Sequence, residues 1–403
     1  MSKKTEISLS ELQGAISLLT DATVGVTDLA EAMQLRIIKP SHLPYTPAQK
    51  AVAGVSKMVY GSVNKTAKFI GGGLGKTLGK FNPDRKIGLK VAEKEALVAA
   101  LNGVVGDRME REENPLTIPM QLKYKEQALA LSKPAIQRAI PKASGGILLV
   151  VHGLCMNDLQ WNRPEGNFGE VMAKELGMTP LFLHYNTGLH ISENGHKLNA
   201  LLEELAKAWP VPIEGINLLT HSMGGLIGRS ACYHAEKEGN RWRDLLRKLV
   251  FLGTPHHGAP LEQIGNHIDH FLEAIPYTKP FARLGKMRSA GITDLRQALL
   301  LHEDWEGMDR FQNQPEGATH VPLPSGVECY AVAACIDKEE KAHKTKTTLI
   351  GDGLVQLNSA LGKGKSPDRQ LNFKKSNTHT VYQTNHIELL GSQEVLLKLR
   401  EWL

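Results

Sequence analysis

INLLTHSMGGLIGR, residues 216–229, is the stretch whose reading decides the fold. An apolar run, Ile216 to Thr220, ends in His221 and Ser222; Gly224 and Gly225 then open a segment, to about 238, able to form a helix. A serine at a strand-to-helix junction with small neighbours is the pattern of a nucleophile elbow, a strained turn that lifts the hydroxyl clear of a sheet. The usual pattern is Gly-x-Ser-x-Gly, and here Thr220 stands in the first glycine's place. A β-branched residue is at home at the end of a strand. Thr220 is therefore expected to alter packing against a neighbouring strand while leaving the turn intact.

Working outward, runs of the same texture recur. GGILLVVHG at 145–153, TPLFLHYN at 179–186, KLVFLGTP at 248–255, VECYAVAAC at 327–335 and HTVYQTNH at 379–386 are short and apolar, and several end in turn residues. Continuous rather than alternating apolarity marks strands covered on both faces, as in parallel sheets. Helix-like segments at 194–209 and 224–238 separate several of them. The expected fold class is therefore α/β, with a mostly parallel sheet. The amphipathic pieces between about 258 and 325 interrupt the alternation and read as a helical cap inserted over the sheet's C-terminal edge.

Residues 1–125 have another character. They read as helix after helix, with no period-two run long enough for a strand, and 126–144 read as a connector rich in proline. The α/β domain is expected over 145–403. In the 47–81 run, Val52, Val55, Val59, Val63, Ala67 and Ile70 recur at spacings of three or four, while Lys57, Lys65, Lys68, Lys76 and Lys80 fall on the other side. From Ala51 to Lys90 there are eight Lys or Arg and one acid, Asp84. Two expectations stand for this helix: internal packing with lysines in water, or peripheral contact with a membrane or lipid surface. GGGLGKT at 71–77 is not a phosphate loop, because Ile70 stands where that pattern needs glycine.

Bulk properties exclude other classes. The 403 residues carry a net charge of +6, too little over that length to imply nucleic acid. No apolar run is long enough to span a bilayer, and MSKKTEISLSELQG lacks the apolar core of a secretory signal. The four cysteines, Cys155, Cys232, Cys329 and Cys335, show neither metal-ligand spacing nor a disulfide framework. A cytoplasmic location is expected. No carboxylate–histidine spacing argues for a catalytic metal, and no cofactor is implied.

VVHGL at 150–154, THSMGG at 220–225, LGTPHHG at 252–258, DGLV at 352–355 and NHIELL at 385–390 together resemble the α/β-hydrolase fold, and within it the bacterial lipase-like esterases. The resemblance covers roughly residues 145–403. It implies a nucleophile, acid and base in the chain order Ser222, Asp352 and His386. It also implies an oxyanion hole formed by the backbone N–H groups of Leu154 and Met223. Asp337 is the rival acid, but its setting, IDKEEKAH, is a charged loop. His152, His221, His256 and His257 read as loop-bracing residues. Relatives that bind a structural calcium place an aspartate shortly after the base; Glu388 and Leu389 stand there instead. The expected activity is hydrolysis of acyl esters, with acyl thioesterase or acyltransferase chemistry as the nearest variant. A weakly catalytic scaffold binding membrane or protein is the alternative of another class.

Overall fold

In a computed structural model of the chain, the described residues are 4–6, 88–259, 288–309, 318–338, 351–364 and 366–403. The amphipathic 47–81 run, the glycine-rich loop at 71–77 and most of the expected cap lie outside them.

The strands are β1 (Lys4–Glu6), β2 (Gly88–Lys90), β3 (Gln121–Tyr124), β4 (Gln127–Ala128), β5 (Gly146–Val151), β6 (Thr179–His184), β7 (Gly215–His221), β8 (Leu246–Leu252), β9 (Glu328–Cys335) and β10 (Thr378–Tyr382). The longer helices are α1 (Val91–Arg111), α2 (Phe168–Leu176), α3 (Ile191–Ala208), α4 (Met223–Glu238) and α5 (Gln393–Trp402).

Eight strands form one sheet in the order β10-β9-β8-β7-β5-β6-β3-β4. The run from β10 to β6 is parallel, and β3 and β4 join antiparallel at one end. Every strand expected from the apolar runs is present, and the helices expected at 194–209 and 224–238 appear as α3 and α4. Their texture follows from position. Every residue of β7 is buried, as are the last five of β5, because helices and loops cover both faces. Two apolar clusters lie on opposite sides: one joins Leu149, Leu218, Leu226 and Leu249, the other Leu148, Leu219, Val250 and Leu399. The alternation Leu148/Leu149 and Leu218/Leu219 between clusters is the period-two geometry of a strand buried on both faces.

The strand order reverses at β5, whose chain neighbours β6 and β7 lie on its two sides. In open α/β sheets, a crevice at such a switch point, outside the carboxyl ends of the strands, is where ligands bind. Ser222 follows β7 there, and Leu154 follows β5.

The N-terminal expectation needs correction. Three strands, β1, β2 and β3, lie within 1–125, where none was expected, and β4 and a helix at Lys133–Ala139 lie in the expected connector. The reason is length. Strands of three or four residues are too short to show a period. Helix α1 is helical as expected, but it belongs to the core of the sheet domain: Ala100, Leu101, Val104 and Met109 share the cluster of Leu149 and Leu183. Its close approach depends on two glycines. A Cβ on Gly103 would sit 2.2 Å from Cys155 Sγ, and one on Gly106 would sit 1.9 Å from Asn186 Oδ1. The helix thus seals against the loops after β5 and β6, beside the C-terminal edge of the parallel strands.

Candidate active site

Helix α4 begins immediately after Ser222, whose backbone has φ 54° and ψ −126°. This is the left-handed φ range, uncommon for a residue with a side chain, and such strain is held only where the surroundings over-determine it. Here they do. The Ser222 N–H donates to Leu252 O at 2.9 Å, and Gly225 N–H donates to Ser222 O at 3.0 Å. A Cβ on Gly224 would lie 2.7 Å from His152 O, and one on Gly225 would lie 2.1 Å from Thr254 Oγ1. The two glycines therefore let the start of α4 press against the ends of β5 and β8.

Thr220 is fully buried, and its hydroxyl donates to Val250 O of β8 at 2.8 Å. Its methyl faces Gly228 of α4, where an added Cβ would lie 3.7 Å away. That is an ordinary contact distance, so the threonine methyl packs toward α4 without crowding it.

The acid and base come from loops far along the chain. His386 Nδ1 lies 2.6 Å from Asp352 Oδ2, and both side chains are almost wholly buried. The other carboxylate oxygen, Oδ1, accepts from Leu354 N–H at 2.9 Å and Val355 N–H at 2.8 Å. His386 N–H donates to Asp352 O at 3.1 Å. The carboxylate is thereby fixed from both sides, and it selects the imidazole tautomer with hydrogen on Nδ1, leaving Nε2 as the acceptor. Asp337 lies two residues after β9, half-buried, with its carbonyl accepting from Gln383 N–H at 3.2 Å. Of the two rivals, Asp352 is the one paired with His386.

The loops converge on the elbow. His221, next to Ser222, stacks at a tilt on His386 with 4.7 Å between ring centroids, and its Nε2 lies 3.0 Å from His386 O. A Cβ on Gly253 would touch His386 Nδ1 and Cε1 at 3.1 Å. One on Gly153 would lie 2.9 Å from Ser222 Cβ. The loop His152–Cys155 thus passes directly over the serine, which explains why a glycine is required at 153.

Leu154 and Met223 are both buried in this convergence. Met223 is the first residue of α4, so its N–H has no intrahelical acceptor and points with the positive end of the helix dipole. The loop bearing Leu154 is held by bonds that sequence reading did not foresee. Cys155 takes φ 57°, with its N–H donating to Thr187 Oγ1 at 3.1 Å. Tyr185 donates its hydroxyl to His152 O at 2.7 Å and stacks on the His152 ring at 4.4 Å. The visible signal was the polar run Tyr185–Asn186–Thr187 directly after a buried strand.

The bystander histidines are neutral for a physical reason. Burial pulls the His152 imidazole down to about 3. It also pulls His221 well below its ordinary value, with the neighbouring His386 adding to the effect, and likewise His256, beside Arg229. His256 packs edge-on against Phe251, and His257 N–H donates to Ser359 Oγ at 3.1 Å, so both brace the loop after β8. Glu388 is used locally, its Oε2 accepting from Asn385 N–H at 2.8 Å. All four cysteines are buried free thiols, and burial raises those of Cys155, Cys232 and Cys329 to about 12.

A mostly parallel sheet in this order, with a serine turn between β7 and α4, is the α/β-hydrolase fold in its lipase-like form. The sequence model of the PGAP1-like alpha/beta domain, an α/β-hydrolase family, matches residues 142–325. Among solved structures, the chain is similar to Bacillus licheniformis lipase BlEst2 in its mature form, at 17% identity over 63% of this chain and 91% of that one, with a TM-score of 0.41. It is also similar to an esterase of the archaeon Pyrobaculum calidifontis, at 11% identity over 80% and 90% of the two chains and a TM-score of 0.39. A third is the Pyrococcus furiosus esterase Pf2001, at 12% identity over 64% and 82% and a TM-score of 0.36. No curated protein matches the chain. Among the described residues, no helix is long and apolar enough to cross a membrane.

Proposed function

We propose that the chain is a serine hydrolase of carboxylic esters, acting on acyl esters through a covalent acyl-enzyme. Ser222 Oγ attacks the ester carbonyl carbon as its proton passes to His386 Nε2. Asp352, bonded to Nδ1–H, stabilises the imidazolium. The tetrahedral oxyanion is met by the N–H groups of Leu154 and Met223. Collapse breaks the bond to the alkoxy oxygen, which takes the proton from His386 and leaves as alcohol. Water, deprotonated by His386, then attacks the acyl-serine, releasing the acid and returning the proton to Ser222 Oγ.

The observation that carries this reading is the 2.6 Å contact between His386 Nδ1 and Asp352 Oδ2, beside a serine at φ 54°. A strained turn and a doubly anchored buried carboxylate both lower stability unless something is gained, and orienting an imidazole for proton transfer is that gain. Transfer of the acyl group to a thiol or alcohol acceptor would use the same atoms with another second substrate.

Labelling by a fluorophosphonate probe and hydrolysis of a short p-nitrophenyl ester test the proposal. Ser222→Ala is expected to abolish both while the protein unfolds at an unchanged urea midpoint. Undiminished labelling of that variant would remove Ser222 as nucleophile.

A further inference from the structure

Helix α4 carries chemistry at both ends. His234 and Glu238 are four residues apart near its C-terminus and so share one face. Helix α3 packs along α4 and presents His196 to the same spot. One ligand-capable atom from each of the three lies within 4.8 Å of the other two. We propose that His196, His234 and Glu238 form a binding site for a divalent ion of the zinc class, which pins α3 to α4.

The geometry suits that ion. Zinc–ligand bonds of about 2.0–2.1 Å at a tetrahedral angle put neighbouring ligand atoms about 3.4 Å apart. His196 Nδ1 and Glu238 Oε1 are 3.4 Å apart. The rings of His196 and His234 meet edge to face with centroids 5.2 Å apart. His234 Nε2 is shielded from solvent and has no hydrogen-bond partner among the described residues. Closing its approach by at most about 1.4 Å completes a tetrahedral face.

The carboxylate is already oriented. Glu238 Oε2 accepts from Asn199 Nδ2 at 2.8 Å and from Asn240 Nδ2 at 3.0 Å, which turns Oε1 toward His196. Asn199 is itself held, its Oδ1 accepting from Trp242 Nε1 at 2.7 Å. Partners that fix a ligand's orientation in this way are the usual outer layer of a metal site. An ordinary surface histidine–glutamate pair needs no such buried support.

The electrostatics agree. Lys197, on the adjoining cleft, is paired with Glu110 at 2.9 Å, and the Lys237 ammonium lies over the Tyr233 ring at 4.5 Å. That cleft, about 440 Å³, is also lined by Ser192, Glu193 and His302, and it gives water access for a fourth ligand. Two imidazoles and one carboxylate select zinc-class ions over calcium and magnesium, which take oxygen ligands. The buried cysteines, Cys155, Cys232 and Cys329 with thiols raised to about 12, do not compete for the ion in the folded protein.

His234 lies twelve residues beyond Ser222 along α4, so at 1.5 Å per residue the site is about 18 Å from the nucleophile. The ion's role is to hold two helices together, and it takes no part in hydrolysis.

The test uses untagged full-length protein stripped with a chelator and titrated with Zn²⁺ alone. Wild type is expected to retain one equivalent after desalting and to unfold at a higher temperature with zinc than without. Calcium should give neither effect. His196→Ala and His234→Ala should each weaken zinc binding at least about 100-fold and abolish the thermal shift, and Glu238→Gln, close in shape, should weaken it about 10-fold or more. Metal-free variants should hydrolyse a short ester at the wild-type rate, which also shows that they fold. Wild type that retains no zinc, or His196→Ala and Glu238→Gln variants that bind it as wild type does, would overturn the proposal.

Discussion

Replacing Thr220 with glycine restores the usual elbow pattern and, on the geometry found here, harms the protein without helping its chemistry. Three losses can be counted. The buried hydroxyl bond to Val250 O is one, and a bond of that kind contributes about 1 kcal/mol. The Cβ and methyl facing Gly228 are the second, about 1.5 kcal/mol of lost apolar burial. Glycine's extra backbone freedom within a strand adds about 0.5–1 kcal/mol. Thr220→Gly should therefore lose about 3 kcal/mol, whereas Thr220→Val, which removes only the hydroxyl, should lose about 1 kcal/mol. Urea unfolding measures both, as a lower midpoint at constant slope. Turnover of a short ester should stay within about threefold of wild type. Ser222 is held by Leu252 O, Gly224 and Gly225, none of which depends on the Thr220 side chain. A glycine variant that is as stable as wild type, or more than about tenfold faster, would refute this account; at 1.4 kcal/mol per decade, such a gain would mean the natural elbow is misaligned.

The acid is tested by Asp352→Asn, expected to lower kcat by about 10⁴ through the wrong imidazole tautomer, while Asp337→Asn stays near wild type; the reverse pattern would move the acid to Asp337. Gly153→Ala brings a Cβ to 2.9 Å from Ser222 Cβ, so ester turnover should fall at least tenfold with the unfolding midpoint changed far less. Stability should also depend on pH with a definite sign. His152, His221 and His256 have folded pKa values lowered by burial, so below the unfolded value near 6.5 the unfolded chain takes up protons that the folded one refuses. Stability is present above about pH 6.5 and is lost as pH falls from there toward about 3 for His152, by up to about 1.4 kcal/mol per pH unit for each histidine. Urea midpoints that stay flat between pH 7 and 5 would contradict this.

Much of the sheet domain was legible because its signals are local. A strand buried on both faces needs apolar residues at every position, so β5, β7 and β8 announce themselves as runs. An elbow needs a small-residue turn after such a run, so Ser222 is visible from its neighbours. Asp352 and His386 are legible only as resemblance, since DGLV and NHIELL contain nothing that requires them to meet. Their 2.6 Å contact is made by loops 34 residues apart in the chain, and the fold alone brings them together.

The remaining features needed the tertiary structure because their partners are remote. Short β3 has no periodicity of its own and is defined by pairing with β6. Helix α1 looked like part of a separate helical region, but Gly103 and Gly106 exist to meet Cys155 and Asn186. Thr220 is tolerated because its hydroxyl bonds Val250 O of β8 and its methyl meets α4 without crowding. His234 and Glu238 stand four apart in plain sight, yet His196 reaches them only because α3 packs along α4. Sequence determines what its neighbours along the chain require; hydrogen-bond partners and steric room between distant segments exist only once the chain has folded.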